Sequence, residues 1–491
     1  MERKFNDQEL IRREKLKTLI NEGKNPFLIE NFKRNTNAKA FIEKYQSQTK
    51  EQLHECHDEI IIAGRIMAIR QTFGVIKDFS GSVQFYLNKK NFDEKTFHEF
   101  KQLDIGDIIG LVGTPMKTNT GEMTVNVKKF TLLSKSLKPL PEKWHGLVDE
   151  EARARSRYVD LIMNDESMNK FITRCKILQA IRNFMSSQGY FEVETPILQP
   201  ILGGAAARPF KTHFNALDQQ FYLRIATELP LKKLIVGGFE KVYEIGRIFR
   251  NEGMDATHNP EFTSLEAYSA YQSLEDMMDL TEKFFNYIAK AINREVIEYK
   301  GVTIDWNKPF KRAKLIDIIK DACGVDFNTI TTDEEAIKIA KEHNIELADH
   351  EKNRGHIIAK FFDEFGEKTC QQPTFVYDYP IEISPLAKKH PTLQGMTRRF
   401  ELFICGKEFA NAFSELNDPI DQYERFEAQL KERDLGNDEA NEMDLNFIEA
   451  LEYGLPPTGG IGYGIDRLVM LFTNSVTIRD VLLFPHMRKV D

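Results

Sequence analysis

The chain has 491 residues, of which 41% are hydrophobic and 29% charged, and its formal net charge is −8. These values are ordinary for a soluble globular protein of about three domains, and the acidic balance argues against indiscriminate nucleic-acid binding while leaving room for a local basic surface. The first ten residues hold no apolar signal segment, and no apolar run approaches the ~18 residues of a membrane span. The five cysteines form no CxxC pair, and this pattern favours a reducing cytosol over a disulfide framework.

Residues 1–50 form a basic segment that we expect to be helical. Apolar residues recur at helical spacing from Glu9 onwards, and the run Gly23-Lys24-Asn25-Pro26 ends the pattern. Twelve Lys or Arg stand against seven Asp or Glu here, a local excess of five positive charges. The excess is compatible either with a solvated helix face or with contact to a polyanion.

Residues 51–138 change to short β-rich runs separated by Gly-bearing turns. Five such runs, with a helical stretch at 91–103 before the fourth, predict an OB-type barrel. Strands of such barrels often stack bases on aromatic side chains, although an aromatic in a small barrel is also a core residue. The candidates are Phe73, Phe85 and Tyr86. A cluster of possible metal ligands precedes the barrel, without a second ligand pair at zinc-site spacing: His54, Cys56 and His57.

Residues 139–150 are typical of a linker, and 151–491 form the remaining domain. This domain opens with an Arg-rich segment and an amphipathic helix over Asn169–Gln188. Gly189 ends that helix, and a strand follows that stops at Pro196, an arrangement that suits a subunit contact. Residues 316–366 are helical in pattern and predict a peripheral insertion.

The stretch Lys241–Ala270 carries polar side chains on apparent strands. Alternating runs on either side of a polar loop with Gly, Asn and Pro predict an antiparallel hairpin with a long tip. Glu266 and Tyr268 share a strand face because side chains alternate, and Arg250 ends the incoming strand. Charges of both signs on one face suit a ligand that is both cationic and anionic, although a solvated hairpin with ion pairs explains this stretch taken alone.

Two later stretches repeat the pattern. In one strand, Asn411, Phe413 and Glu415 alternate onto the same face. In another, glycines at 460, 462 and 464 alternate before Asp466 and Arg467 open a helix. Glycine inside a strand often marks the close approach of a ligand or of another backbone, and an arginine beside it can reach an anion. No GxxxxGK[ST] phosphate loop occurs in the chain.

Together these segments resemble the class II aminoacyl-tRNA synthetases, and specifically the lysyl-tRNA synthetase family. Three family signatures match in order: Gly189 with Pro196, FRNEG (249–253) through HNPEFT to Glu266, and GIGYGIDR (460–467). Flanking runs such as GGAAARPF, YLRIATEL, FANAFSELNDP and TIRDVLLFP match as well. The resemblance covers nearly the whole chain, and the class I signatures HIGH and KMSKS are absent.

The resemblance implies an α+β fold: an antiparallel class II catalytic sheet flanked by helices, with an N-terminal OB-fold barrel that binds the anticodon. It also implies a cytoplasmic homodimer that activates L-lysine with ATP to lysyl-adenylate and pyrophosphate. The lysyl group then passes to the 3′ end of tRNA(Lys), and AMP is released. Positioning and charge stabilisation account for such chemistry without a protein nucleophile.

The resemblance also implies roles for individual residues. Arg250, Arg467 and His258 are the expected catalytic residues, with Arg250 bridging the lysine carboxylate and the α-phosphate. The expected ATP-binding residues are Arg250, Glu252, His258, Asn259, Phe262, Glu401, Glu408 and Arg467. Glu401 and Glu408 are also the expected Mg²⁺ ligands, since Mg²⁺ prefers carboxylate and phosphate oxygens. Glu408 and Asn411 have opposite strand parity, so both face the site only if a β-bulge lies near Phe409-Ala410.

The expected lysine site is rich in carboxylates, as suits a ligand with two ammonium groups and one carboxylate. By the resemblance, Glu228 and Glu266 with the Gly204 backbone hold the α-ammonium. Glu415 and Tyr268 then hold the ε-ammonium, and Phe413 packs on the aliphatic stem. The full expected set is Gly204, Glu228, Arg250, Glu266, Tyr268, Asn411, Phe413 and Glu415. In the barrel, the positions that match an anticodon reader are Arg70, Phe73, Gln84 and Glu122.

Two other readings of the sequence stay open. Aspartyl- and asparaginyl-tRNA synthetases share the barrel and the sheet, but an aspartate pocket needs cations where this chain has Glu228, Glu266 and Glu415. A catalytically silent tRNA-binding relative, or a ligase that lysylates a protein, belongs to a different functional class. The matched ATP-binding arginines argue against a silent relative, and the N-terminal barrel argues against a protein ligase.

Overall fold

The computed structural model describes residues 4–141, 149–437 and 439–488. The chain divides into two compact units, residues 1–148 and 149–491. The centre of the expected linker, residues 142–148, lies outside the described residues. Among the described residues, we find no helix that has both the length and the apolar character needed to cross a bilayer.

The N-terminal segment is helical, as its pattern predicted. Helix α1 is capped by Asn6, whose side chain accepts from the Glu9 backbone N–H while the Glu9 side chain bonds back. Lys15 forms an ion pair with Asp104 of the same unit at 2.7 Å, so part of the basic excess is neutralised internally. The helices before the barrel are α1 (Asp7–Asn21), α2 (Ala38–Tyr45) and α3 (Lys50–Glu55).

Five strands then close into a barrel in the order β1-β2-β3-β5-β4, with a helix before the fourth strand, as expected for an OB-fold. Alternation along β1 buries Ile60, Ile62 and Ile66 inside the barrel. Phe85 is fully buried there as well, so its assignment as a base-stacking candidate is wrong. The elements are β1 (Ile60–Arg70), β2 (Phe73–Asp78), β3 (Gly81–Leu87), α4 (Glu94–Lys101), β4 (Ile108–Lys117) and β5 (Met123–Ser134).

The second unit is built around a large sheet. Its first half contains α5 (Glu150–Arg155), α6 (Arg157–Met163), α7 (Asp165–Ser187), β6 (Phe191–Glu192), β7 (Leu198–Gln199), β8 (Lys211–Phe214), β9 (Gln219–Leu223), α8 (Glu228–Val236), β10 (Lys241–Phe249), β11 (Glu261–Ala270) and α9 (Leu274–Ala291). Its second half contains β12 (Val296–Tyr299), β13 (Val302–Asp305), β14 (Lys311–Lys314), α10 (Leu315–Cys323), α11 (Asp333–Glu342), α12 (Arg354–Phe361), β15 (Thr374–Tyr377), β16 (Arg399–Ile404), β17 (Lys407–Ser414), α13 (Pro419–Asp434), α14 (Leu445–Glu452), β18 (Thr458–Gly464) and α15 (Ile465–Thr473). The segment predicted as a helical insertion contains α10, α11 and α12, whose buried residues form one hydrophobic cluster with Val376 of β15 and Phe403 of β16.

Within the described residues, eight strands pair in the order β14-β15-β16-β17-β18-β11-β10-β6. The central pairs are antiparallel, as expected, whereas the outermost pairs β14–β15 and β10–β6 are parallel. The strand expected to run to Pro196 is shorter, because after β6 the Thr195 N–H and hydroxyl bond to Glu244 Oε2 at 3.0 and 2.7 Å instead of joining the ladder.

The two faces of this sheet differ in character. Leu265, Ala267 and Ile461 are buried in the core that also includes residues of α7, α9 and α15. Glu266 and Gly462 alternate with these residues and therefore lie on the opposite face, where they pair across the β11–β18 ladder. The polar face therefore stays open for a ligand while the apolar face holds the unit together.

Candidate active site

The polar face of the sheet forms the floor of a cavity of about 620 Å³. Residues from β11, β16, β17 and β18 line it, together with the loop between β10 and β11 and the segment around Gly204. Among the predicted site residues, those on the cavity wall are Gly204, Glu228, Arg250, Glu252, His258, Asn259, Phe262, Glu266, Tyr268, Glu401, Glu408, Asn411, Phe413 and Arg467. Glu415 lies behind this wall and has no solvent exposure.

Arg250 presents an uncommitted guanidinium to the cavity. Its carbon Cζ lies 5.3 Å from the centroid of the Phe262 ring, so the two planar groups are close enough for a cation–π contact. Arg250 Nε is buried and has no hydrogen-bond partner among the described residues. A buried donor without an acceptor is costly, and a carboxylate or phosphate oxygen would satisfy it.

His258 and Arg467 meet at the same end of the cavity. Arg467 Nη2 lies 3.2 Å from His258 Nε2 and can only donate, so Nε2 accepts and Nδ1 carries the proton. Nδ1 donates to Asp255 Oδ2 at 2.8 Å. Partial burial raises the pKa of Asp255, but bonds from His258 and Thr257 outweigh it and hold that pKa well below its usual range. The imidazole is thereby fixed beside the arginine.

Glu401 and Glu408 each have an arginine partner in this structure. Arg399 Nη2 lies 2.5 Å from Glu401 Oε1, and Arg467 Nη1 lies 3.4 Å from Glu408 Oε2. Burial raises the pKa of Glu401 to about 7, with Arg399 lowering it and Glu408 raising it. The effect of burial on the pKa of Glu401 is therefore larger than the opposing effect of Arg399, so a further nearby cation would stabilise the ionised form.

These two carboxylates fit a divalent cation that also takes phosphate oxygens. Among the described residues, no group of three or more His, Cys, Asp or Glu side chains could hold a metal ion. Mg²⁺ commonly binds through one or two carboxylates plus substrate phosphates rather than through an all-protein cage. Glu401 and Glu408 meet that requirement from neighbouring strands of the cavity floor.

The β-bulge predicted near Phe409-Ala410 is confirmed. In the β16–β17 ladder Leu402 pairs with Ala410 whereas Phe403 pairs with Glu408, so Phe409 is the extra residue. The bulge changes the strand parity by one. Glu408 and Asn411 consequently both reach the cavity.

The strand glycines have two different functions. A Cβ on Gly460 would overlap Glu415 Oε1 and the Tyr268 ring, so this glycine makes room for two protein side chains. A Cβ on Gly462 would meet nothing closer than Glu266 Cγ at 3.6 Å. The bare backbone at Gly462 therefore leaves space in the cavity rather than space for packing.

Gly462→Ala is expected to leave the folded state intact and to weaken ligand binding, because the added methyl occupies the cavity floor beside Glu266 without a clash inside the protein. Gly460→Ala is the contrasting variant, and we expect it to lower the melting temperature because its methyl collides with buried side chains. Thermal unfolding, and titrations with lysine and ATP as the ligands that the resemblance implies, separate the two effects. A Gly462→Ala protein that binds both ligands as tightly as the unchanged protein would contradict this assignment.

One end of the cavity holds two neighbouring carboxyl groups, Glu228, which is buried, and Glu266, which is half-buried. Burial and the neighbouring Glu228 together raise the pKa of Glu266 to about 7, against hydrogen bonds from Thr227 and the charge of Arg250, which lower it. Burial also raises the pKa of Glu228, although Lys232 counteracts that effect. Tyr268 Oη donates to Glu266 Oε2 at 3.4 Å. These groups form an acceptor-rich pocket that suits an ammonium group.

Sequence reasoning missed the cations that pair with these carboxylates. Arg399 alternates with Glu401 along β16 and also donates to Asn411 Oδ1 at 3.0 Å, a strand spacing that could have revealed it. Lys232 follows Glu228 by one helical turn, an i,i+4 spacing that could likewise have revealed it. Asn441 Oδ1 accepts from the Gly204 N–H at 3.1 Å, and nothing in the sequence pattern pointed to it.

The barrel places its predicted anticodon residues on one surface region. Arg70 and Phe73 face each other across a tight hairpin whose loop residue Gln71 has φ 50°. The Phe73 and Tyr86 ring centroids lie 4.6 Å apart, and both residues are partly exposed. Gln84 Oε1 accepts from Thr124 Oγ1 at 2.8 Å, which fixes its amide. Glu122 is exposed just before β5.

Comparison with known proteins agrees with the folds described for the barrel and for the unit with the large sheet. Residues 149–488 match a family described as tRNA synthetases class II (D, K and N). Residues 60–133 match a family described as OB-fold nucleic acid binding domain. The catalytic fold, the cavity and these matches define a class II tRNA synthetase.

Curated relatives with similar sequences identify the family within this class. The chain is 58% identical over 489 residues to the lysine–tRNA ligase of Ureaplasma urealyticum and 60% identical to that of Malacoplasma penetrans, and each alignment covers 99% of both chains. It is 54% identical to the lysine–tRNA ligase of Staphylococcus epidermidis over 100% of both chains. The chain belongs to the lysine–tRNA ligase family of class II tRNA synthetases.

Proposed function

We propose that this protein is an ATP-dependent lysine–tRNA ligase that forms lysyl-adenylate and then lysyl-tRNA(Lys). The observation that carries the proposal is the convergence of three groups in one cavity: Arg250, whose buried Nε has no hydrogen-bond partner among the described residues, and the carboxyl groups of Glu228 and Glu266. An arginine suits the substrate carboxylate and the α-phosphate, and the carboxylates suit an ammonium group.

In the first step, a lysine carboxylate oxygen attacks the α-phosphorus of ATP, and the bond to the β-phosphate oxygen breaks to release pyrophosphate. Arg250 holds the two reacting anions together and stabilises charge that builds on the α-phosphate. Arg467 and His258 bind the outer phosphates, while Phe262 stacks on adenine and Glu252 with Asn259 positions the nucleotide. In the second step, the tRNA 3′-hydroxyl attacks the lysyl carbonyl and AMP leaves.

Glu401 and Glu408 would hold Mg²⁺ with the nucleotide. The ion would supply positive charge to the phosphates and to Glu401, whose pKa burial raises to about 7. Arg399 and Arg467 balance these carboxylates from the protein side.

The barrel would bind the U-rich anticodon of tRNA(Lys), with a base stacked on Phe73 and base edges contacted by Arg70, Gln84 and Glu122. Phe73→Ala is expected to weaken tRNA binding by about 5- to 150-fold, the range of one base-stacking contact of roughly 1–3 kcal/mol. Lysine activation without tRNA is expected to be unchanged. Filter binding and pyrophosphate exchange measure the two quantities, and Phe79→Ala, which removes a 77% exposed ring elsewhere on the barrel, is the control. Equal effects of the two substitutions would contradict the assignment.

The protein would act as a homodimer. Strand β6, which contains Phe191, lies at one edge of the large sheet. Phe191 is 64% exposed and Phe239 is 44% exposed, and their ring centroids lie 6.3 Å apart. An apolar patch on a sheet edge suits a subunit contact. We expect light scattering to give twice the chain mass of 56.9 kDa, and Phe191→Glu to shift the mass towards one chain. Tyr453→Glu, which changes an exposed side chain elsewhere, should leave the mass unchanged.

The cytoplasm is the compartment that we assign to this ligase. All five cysteines are free thiols in the structure. Free thiols are typical of a reducing compartment, in which tRNA and ATP are also available.

Pyrophosphate exchange tested with each of the twenty amino acids is the decisive experiment. We expect ATP–pyrophosphate exchange to depend on lysine alone, because an amino acid without a side-chain cation leaves buried carboxylates unpaired. Exchange with aspartate would support an aspartyl enzyme. Tight tRNA binding without any exchange would indicate a catalytically silent relative.

A further inference from the structure

A lysine of the protein itself is buried against the side chains expected to hold the substrate. Lys232 lies on α8, one turn after Glu228, and its side chain has no solvent exposure. Its Nζ donates to Glu228 Oε1 at 2.5 Å and forms a second ion pair with Glu415 Oε2. The Nζ atom also lies 5.4 Å from the centroid of the Phe413 ring. Lys232 therefore contacts two expected ammonium acceptors and the expected wall of the pocket.

The electrostatic balance depends on this ammonium group. Burial raises the pKa of Glu415 well above its usual range, and Lys232 is the main group that acts against the rise. Burial lowers the pKa of Lys232, but its two carboxylate partners outweigh that effect and the pKa is raised. Lys232 consequently stays charged at neutral pH, and it favours the ionised form of Glu228 and Glu415.

The two carboxylate oxygens of Glu415 have different surroundings, since one lies against Lys232 and the other lies towards the cavity. Neither oxygen has a hydrogen-bond partner among the described residues, but Oε2 forms the ion pair with Lys232 and Oε1 forms none. Oε1 lies beside Gly460 and the Tyr268 ring, both of which line the cavity. One oxygen is thereby fixed by a resident cation, and the other is available next to a bare stretch of backbone.

We propose that Lys232 is a positioning residue that sets the amino-acid specificity by favouring the ionised form of Glu415 and by holding its carboxyl group in one orientation. The inference rests on the lysine specificity proposed above. Three carboxyl groups, Glu228, Glu266 and Glu415, accompany one resident ammonium group, so two more ammonium groups can be paired. A bound lysine supplies these two ammonium groups, while its carboxylate pairs with Arg250. An amino acid with a neutral side chain leaves Glu415 Oε1 unsatisfied.

Lys232→Met removes the charge and keeps a side chain of similar length. We expect the KM for lysine in pyrophosphate exchange at pH 7 to rise at least about a hundredfold, because an unpaired buried carboxyl takes up a proton and no longer attracts an ammonium. The KM for ATP is expected to change by less than about threefold, since Lys232 does not line the cavity. Exchange with norleucine, which lacks the ε-ammonium, is expected to gain relative to exchange with lysine.

The pH profile separates positioning from a purely structural function. Without Lys232 the pKa of Glu415 rises further, so raising the pH from 6.5 to 9 should lower the KM for lysine more steeply in Lys232→Met than in the unchanged protein. A purely structural function would reduce the folded fraction and leave this slope unchanged, which would overturn the proposal. The other charged or titratable groups that act on Lys232 or Glu415 are Glu228, Glu266, Tyr268 and Lys388. Arg399 acts on Glu228, and Arg250 acts on Glu266.

The double variant Lys232→Met with Glu415→Gln keeps the test valid if the single variant fails to fold. It buries no unpaired charge at position 415, and replacing both members of a buried pair is often tolerated. We expect its KM for lysine to exceed that of Glu415→Gln by no more than about threefold, because the proposed effect of Lys232 on specificity acts through Glu415, and Glu228, which also loses Lys232, keeps the positive charge of Arg399 nearby. A loss that multiplies with that of Glu415→Gln would overturn the proposal. If the unchanged protein shows no lysine-dependent exchange, the proposed function itself fails, whereas lysine dependence with an unaffected Lys232→Met refutes Lys232 alone.

Discussion

Glu415→Gln is expected to raise the KM for lysine by about a hundredfold to a few thousandfold. Glu415 is fully buried and pairs with Lys232. In the proposed complex Glu415 also pairs with the ε-ammonium group of lysine, and losing one partner of such a buried pair costs about 3–5 kcal/mol, where each 1.4 kcal/mol corresponds to a tenfold change in binding. The variant keeps the shape of the side chain and removes only its charge, so the loss should appear in amino-acid recognition.

The KM for ATP separates this specific effect from general damage. Glu415 is not part of the cavity wall near the nucleotide residues, so we expect the KM for ATP to stay within about threefold. Glu424→Gln, which removes an exposed carboxylate from α13, is the matched control and should change neither constant. Equal losses for lysine and ATP would refute the assignment of Glu415 to the amino-acid pocket.

Arg250→Gln is expected to lower the rate of lysyl-adenylate formation by about a hundredfold to a thousandfold, the usual cost of removing one donor that stabilises transition-state charge. Arg250 has an unpartnered buried Nε and a guanidinium that faces the cavity. Glutamine retains hydrogen-bonding capacity but loses both the positive charge and the fork that binds two oxygens at once. Single-turnover measurements with saturating lysine and ATP report this step directly.

Arg247→Gln provides a matched control three residues earlier. Arg247 lies on β10, is exposed and pairs with Glu261 at 3.5 Å without reaching the cavity. We expect its adenylation rate and melting temperature to be close to those of the unchanged protein. If Arg247→Gln and Arg250→Gln lowered the rate equally, the effect would arise from the strand or its charge, and the assignment of Arg250 would be wrong.

Strand alternation made much of the cavity floor predictable. Parity along β11 and β17 assigned Glu266, Asn411 and Phe413 to one face, and all three line the cavity. The same parity argument required a bulge between Glu408 and Asn411, and the ladder contains it at Phe409. These predictions succeeded because the period of two is a local property of an extended backbone.

Burial was less predictable than parity. Phe85 and Tyr86 are adjacent in the sequence and were both base-stacking candidates, yet only Tyr86 lies at the barrel surface. Closure of the barrel decides which face points inwards, and that closure depends on pairing between β3 and β5, strands separated by many residues. The aromatic character of a residue does not by itself distinguish these positions.

The sequence by itself determined the signatures of the family, the strand and helix pattern, and the set of carboxylates suited to an ammonium ligand. Only the tertiary structure decided which cations accompany them, because Lys232 reaches Glu415 across 183 positions of chain, from a helix to the end of a distant strand. Buried charges are stable only in pairs, and the partner can come from any part of the chain that the fold brings within a few ångströms.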